Sequence, residues 1–252
     1  ELVYEQARLC FELGRAEEAI FFLEKCSRHL PMENVACQKS NELLFLIYFL
    51  RKDYPRGEAL LNQLKSSEYF EKLILPAMKV RYAYYEASLY FIVGKFSKCL
   101  KVLVKTSVFA LKDYEKLRIR LLIIMSLIET QKLDEADRLI EATRKFIHRK
   151  KLHSIMLNKG MANFFECLKT LKSYGYDFKR FRKNSKDTFS KITIMKDKKT
   201  KTDSLSTWLV EYDQWLLKKL SAPKVQNEDY QVWQSYRRES YYNTGMVSRV
   251  YV

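Results

Sequence analysis

The sequence predicts an all-α protein, and three observations carry that expectation. Only six Gly and four Pro occur in 252 residues, too little turn punctuation for a β-sandwich or barrel. Apolar residues recur at three- and four-residue spacing, the period of a helix with one buried face. A pattern of helix, tight turn and helix also returns along the first 150 residues.

The first copy sets the pattern. Leu2, Ala7, Cys10 and Leu13 fall near one side of a first helix, and Gly14 permits the backbone conformation of a helix–helix turn. From Ala16, a second helix carries Ala19, Ile20, Leu23 and Cys26 on one face and is stopped by Pro31. In the second copy Leu43–Leu50 is the first helix and Lys52–Tyr54 the turn, and Gly57, Leu60, Leu61 and Leu64 belong to the second helix. The third begins at Pro76, where a missing N–H does no harm, carries Ala83, Ala87 and Tyr90, and turns at Gly94 into Phe96, Cys99, Leu100 and Leu103. The fourth has Leu121–Ile128, a turn at Gln131 and Lys132, then Leu133, Ala136 and Ile140. The small residues Ala19, Gly57, Cys99 and Ala136 recur at steps of 38, 42 and 37 residues. Such a period signals stacked helical hairpins, none of which buries its apolar face alone.

Three regions follow: four hairpins over 1–150, further helices with a basic loop over 151–221, and an extended aromatic tail over 222–252. In the middle region a long helix is expected over 152–173, with Ile155, Met156, Met161, Phe164, Phe165, Leu168 and Leu171 apolar and Gly160 inside it. A short helix through Phe189 and Ile192 and an exposed loop over 196–202 come next. Asp203 or Ser204 can cap a last helix whose stripe is Leu205, Trp208, Leu209, Tyr212, Trp215, Leu216 and Leu220. That helix is expected to cover the last apolar face of the array. The tail holds Tyr230, Trp233, Tyr236, Tyr241, Tyr242 and Tyr251 without helical periodicity and must dock on this chain or on a partner.

The stretch Phe11-Glu-Leu-Gly-Arg-Ala-Glu-Glu-Ala-Ile20, with Gly14, Ala19 and Pro31 in register and its echo Phe91-Ile-Val-Gly-Lys-Phe-Ser-Lys-Cys-Leu100, resembles the centre of a tetratricopeptide repeat (TPR). The resemblance covers residues 2–150, with longer loops than the usual unit of about 34 residues. It departs from the pattern where the first copy has Ala16 for an aromatic residue and where the second and fourth lack the turn glycine. It implies a right-handed superhelical solenoid, which the expected last helix would cap, followed by the irregular aromatic tail read from the residues themselves. In such arrays the first helices line a concave face that grips a peptide or partner helix. Carried over to this chain, that face comprises Tyr4, Arg8 and Phe11; Glu42, Leu46 and Phe49; Arg81, Tyr84, Ser88 and Phe91; and Arg118, Leu121 and Met125. Arg81, Tyr84 and Arg118 are its most hot-spot-like members, whereas the apolar ones serve equally as core.

The net charge of +16 is uneven: residues 1–50 are net −3 and residues 151–200 net +9. A basic patch is expected at Lys145, Arg149, Lys150 and Lys151 and at Lys179, Arg180, Arg182 and Lys183, where aromatic residues interleave. Stacking together with phosphate pairing is how single strands of nucleic acid are held. Five scattered cysteines without a C-x-x-C pair fit a reducing, cytoplasmic setting better than a disulfide framework. No apolar run approaches the length needed to span a bilayer. The sequence begins at Glu1, so targeting signals are not judged from it.

No catalytic constellation stands out. His148 and His153 flank Arg149-Lys-Lys151, which discourages a metal dication, and their spacing is not that of a helical zinc pair. There is no phosphate loop, nucleophile elbow or zinc spacing. The acid pairs Glu17-Glu18 and Asp134-Glu135 stand at helix starts, where they complement the helix dipole. The expectation is therefore a non-enzymatic scaffold or adaptor without metal or cofactor, binding a partner protein within a larger complex. The alternative is a basic helical-repeat protein binding RNA or single-stranded nucleic acid; a third reading is a regulatory domain of a longer chain.

Overall fold

A computed structural model describes residues 2–31, 34–68, 70, 76–106, 111–150, 152, 159–184, 209–210 and 212–220. Every regular element among them is a helix: α1 (Leu2–Glu12), α2 (Ala16–His29), α3 (Val35–Leu50), α4 (Tyr54–Lys65), α5 (Pro76–Ile92), α6 (Phe96–Val104), α7 (Asp113–Glu129), α8 (Leu133–Arg149), α9 (Lys159–Ser173), α10 (Phe178–Asn184) and α11 (Tyr212–Leu220). None is long and apolar enough to cross a membrane. The expected helix through Phe189 and Ile192, the loop over 196–202, the cap at Asp203 or Ser204, and the tail over 222–252 lie outside the described residues.

Four turns close in the same way. The residue past the first helix takes a positive φ: 78° at Gly14, 62° at Lys52, 77° at Gly94 and 59° at Gln131. Its N–H donates to the carbonyl three residues back, and the following N–H reaches five back. Thus Gly14 bonds to Phe11 (3.0 Å) and Arg15 to Cys10 (2.8 Å), and at the fourth turn Gln131 bonds to Ile128 (3.2 Å) and Lys132 to Leu127 (2.9 Å). This is the Schellman closure, which satisfies two orphan carbonyls of the helix end. Lys52 and Gln131 adopt it without glycine, at a steric cost of about 1–2 kcal/mol each. The small residue five positions past each turn residue is buried: Ala19, Cys99 and Ala136 are 0% exposed, and Gly57 is buried too. The repeat read from the sequence is thus a repeat of backbone geometry.

A fifth turn joins α9 to α10. Gly175 and Tyr176 have φ of 63° and 60°, and Tyr176 N–H reaches five residues back to Leu171 (3.0 Å). Asp177 then caps α10, its Oδ1 accepting from the backbone N–H of Lys179 (2.9 Å) and Arg180 (3.0 Å).

The chain divides into two compact units, and the division falls within α5 at Lys79 and Val80. In the first unit α1 packs on α2 and α3, α2 on α3, and α3 on α4. Its core joins Ala7, Ala19, Ile20, Leu23, Leu43, Leu44, Ile47 and Tyr48. In the second unit α6 packs on α7, α7 on α8, α9 on α10, and α11 on α7, α9 and α10.

The first and second helices of the fourth hairpin, α7 and α8, differ in how much of their circumference is buried, whereas α1 buries only Ala7. In α7, Leu121, Leu122, Ile124, Met125, Leu127 and Ile128 are all buried, although they point in several directions. In α8 only the stripe Ala136, Ile140, Thr143, Phe146 and Ile147 is buried. A helix sandwiched between neighbours needs apolar residues all round, whereas one with a free side needs a single stripe. This contrast also settles the apolar first-helix residues: Leu46, Phe49, Phe91, Leu121 and Met125 are core, none more than 8% exposed.

Candidate interaction surface

In the second unit, α5 and α7 bring together the three polar residues expected to bind. Arg81 Nε donates to Glu115 Oε1 (3.1 Å), and the other Glu115 oxygen accepts the Lys112 N–H that opens α7 (3.0 Å). Arg118 lies over the Tyr114 ring at 5.3 Å, and its charge reaches Tyr84. Tyr84 itself is buried, and burial pushes its phenol pKa up. Ser88 is fully buried, its hydroxyl donating to the Tyr84 carbonyl (2.7 Å).

The backbone of Leu209 bonds at Tyr84. Leu209 and Val210 are 6% and 4% exposed, so this short segment is pressed into the protein. From there α11 runs against α7, α9 and α10. Trp215 Nε1 donates to Glu129 Oε1 (2.6 Å), and Lys219 Nζ donates to Glu129 Oε2 (2.7 Å). Glu129, at the end of α7, thereby accepts two charge-assisted bonds while only 9% exposed. Rings complete the seat. Phe164 lies 4.8 Å from Tyr212 and 6.4 Å from Trp215, and Phe178 meets Trp215 edge-on at 6.1 Å. Leu216 and Leu220 are buried beneath them. Leu209 thus meets Tyr84 of α5, and the Trp-anchored helix α11 packs on α7, α9 and α10 of the same unit.

In the first unit the matching residues of α1 stay half-buried. Arg8 bridges Glu5 (2.9 Å) and Glu12 (3.8 Å) along its own helix. Tyr4 lies beneath the Lys39 ammonium at 5.7 Å, and burial followed by the nearby Glu5 pushes its pKa up. Leu2, Leu9 and Leu13 stand near one line along α1 and its turn and are 85%, 56% and 55% exposed.

Of the expected basic patch, Lys145 and Arg149 on α8 join Arg120 of α7 around a common cavity. Lys150 instead pairs with Asp113 (3.4 Å). Lys179, Arg180, Arg182 and Lys183 lie on α10, where Arg180 stacks over Tyr174 at 5.8 Å. Lys151 and His153 lie outside the described residues. Sequence reasoning missed Arg120 and Glu129. Their signal was a charge at either end of the apolar run 121–128, but their partners come from elements distant in sequence.

All five cysteines are free and four of them are buried. Burial raises the Cys99 thiol to about 11, and the Ser126 hydroxyl donates to its sulfur (3.3 Å); such a thiol is inert at neutral pH. No protein-family model, curated protein or solved structure matches this chain.

Proposed function

We propose that this chain is a non-enzymatic, TPR-like α-solenoid scaffold that holds a helical segment of a partner protein against its first helices. The observation that carries the reading is the α11 seat. The seating of α11 (Tyr212–Leu220) supports it: an amphipathic helix anchored by a tryptophan and a lysine packs at the end of α7. Helix-in-groove recognition works through such anchors at helical spacing. The partner engages Tyr4 and Arg8 on α1 and the face of α5 and α7 around Arg81, Tyr84, Ser88 and Arg118, in the second case by replacing the segment at Leu209. A reducing, cytoplasmic setting suits five free thiols.

Chemical cross-linking of the complex in source cells, read by mass spectrometry, tests this. Lys39, Lys79 and Lys116 stand on first helices; Lys25, Lys98 and Lys101 stand on second helices. Partner cross-links concentrated on the first set support the reading, and cross-links concentrated on the second set contradict it.

A further inference from the structure

The second unit also carries a cavity of about 420 Å³, lined by Arg120 of α7 and by Ala142, Lys145, His148 and Arg149 of α8. Nearby, Arg144 pairs with Glu141 (3.3 Å) and Lys150 with Asp113 (3.4 Å). No carboxylate among the described residues lies within ion-pair distance of Arg120, Lys145 or Arg149. Arg120 is half-buried, and its guanidinium lies over the Phe146 ring at 4.8 Å, a cation–π contact that holds the charge at the cavity. Burial and the nearby Arg149 charge lower its pKa. Like charges held this close repel, and an incoming anion removes that repulsion while gaining their attraction.

We infer that this cavity binds a phosphoryl group carried on a segment of the partner protein, an inference that rests on the scaffold reading above. A phosphorylated side chain brings a charge of about −1.5 to −2 and three acceptor oxygens. That matches two guanidinium forks and an ammonium better than a carboxylate with its single charge. Arginine clusters are the usual readers of phosphorylated segments. Single-stranded nucleic acid suits the site less, because it needs exposed rings on which bases stack. The Phe146 ring is 7% exposed, and Arg120 already lies over it.

Titration calorimetry of the full chain tests this with four probes: a short blocked peptide carrying one phosphoserine, its unphosphorylated twin, its glutamate twin, and an oligouridylate. The phosphopeptide is expected to bind in a salt-sensitive manner. Its affinity should fall about tenfold in Arg120→Gln and in Arg149→Gln, a change of about 1.4 kcal/mol, and hold in Lys25→Gln. Lys145→Gln, at an exposed position, gives a smaller loss without touching the Arg120–Phe146 contact. Equal binding of the unphosphorylated or glutamate twin overturns the inference, as does undiminished binding by both Arg149→Gln and Lys145→Gln. Tighter binding of oligouridylate with the same cavity dependence also overturns it and assigns the site to nucleic acid. Any of these can occur while partner cross-links still map to the first helices, so failure here is distinct from failure of the scaffold reading.

Discussion

The first and last hairpins turn on related backbone geometry yet carry opposite outer faces. On α1 and its turn, Leu2, Leu9 and Leu13 stand open, as does Phe21 on α2 at 63% exposed. On α9 and α10, Phe164 and Phe181 are 0% and 1% exposed, and Trp215 of α11 packs edge-on against Phe164 and Phe178. An isolated helical hairpin always leaves an apolar side unburied. The last hairpin solves this with a helix of its own unit, and the first does not within the described residues. Stability should therefore depend strongly on side chains at the covered end and weakly on those at the open one.

The largest expected effect sharpens that comparison. Trp215→Ala removes a buried indole and leaves Glu129 with one donor fewer; loss of about 3–5 kcal/mol is expected, read as a lower denaturant midpoint. Phe21→Ala, at an exposed ring, should move the midpoint little. Equal losses in the two variants would break the comparison.

Next come the small residues beside the turns, where the first and fourth hairpins should behave alike. Ala19→Leu and Ala136→Leu force a bulky side chain into positions that are 0% exposed; each is expected to cost about 1–3 kcal/mol by overpacking. If either variant matches the wild-type melting curve, the hairpins do not pack as closely as the geometry requires.

Alkaline pH should loosen both ends through one tyrosine each. Tyr48 donates to Glu24 (2.9 Å) across α2 and α3, and burial together with that carboxylate pushes its pKa from 10.0 to about 12. Tyr176 donates to Asp137 of α8 and is shifted upward for the same reasons. A folded-state pKa raised above the unfolded one gives stability that is complete below pH 10 and is lost as the pH climbs toward 12. Urea midpoints measured upward from pH 9 should therefore fall, and Tyr48→Phe and Tyr176→Phe should each flatten the slope. An unchanged slope in both would contradict the assignment.

The smallest effect is expected at the open stripe. Leu9→Lys and Leu13→Lys should each leave stability within about 0.5 kcal/mol. A larger loss in equilibrium unfolding would mean that the stripe is covered.

Local features of this fold were legible because they are written in neighbouring residues. Gly14 and Gly94 announced their turns, and polar Lys52 and Gln131 marked the others, since a Schellman closure needs only a residue that tolerates a positive φ at the surface. Ala19, Gly57, Cys99 and Ala136 gave the period because close helix approach admits only small side chains there. The fifth closure was not read. Tyr176 belongs to an aromatic and basic run in the sequence, and only the fold reveals it as a turn residue tied to Asp137. The stripe Leu209, Trp215, Leu216 and Leu220 foretold burial but not the surface that buries it. Arg120 could not be matched to Lys145 and Arg149 from sequence, because opposition of α7 and α8 is a property of packing rather than of any local pattern.

The proposed scaffold role depends most on whether the surface of α7, α9 and α10, which carries α11 (Tyr212–Leu220), is a seat for a Trp-anchored helix. A labelled synthetic peptide of residues 209–220, titrated by fluorescence anisotropy into wild-type protein and into Trp215→Ala, tests it most directly. Saturable binding is expected to Trp215→Ala, where the resident helix has lost its anchor, and little binding to wild type. Equal binding to the two proteins, or binding to neither while Trp215→Ala remains folded, would contradict it.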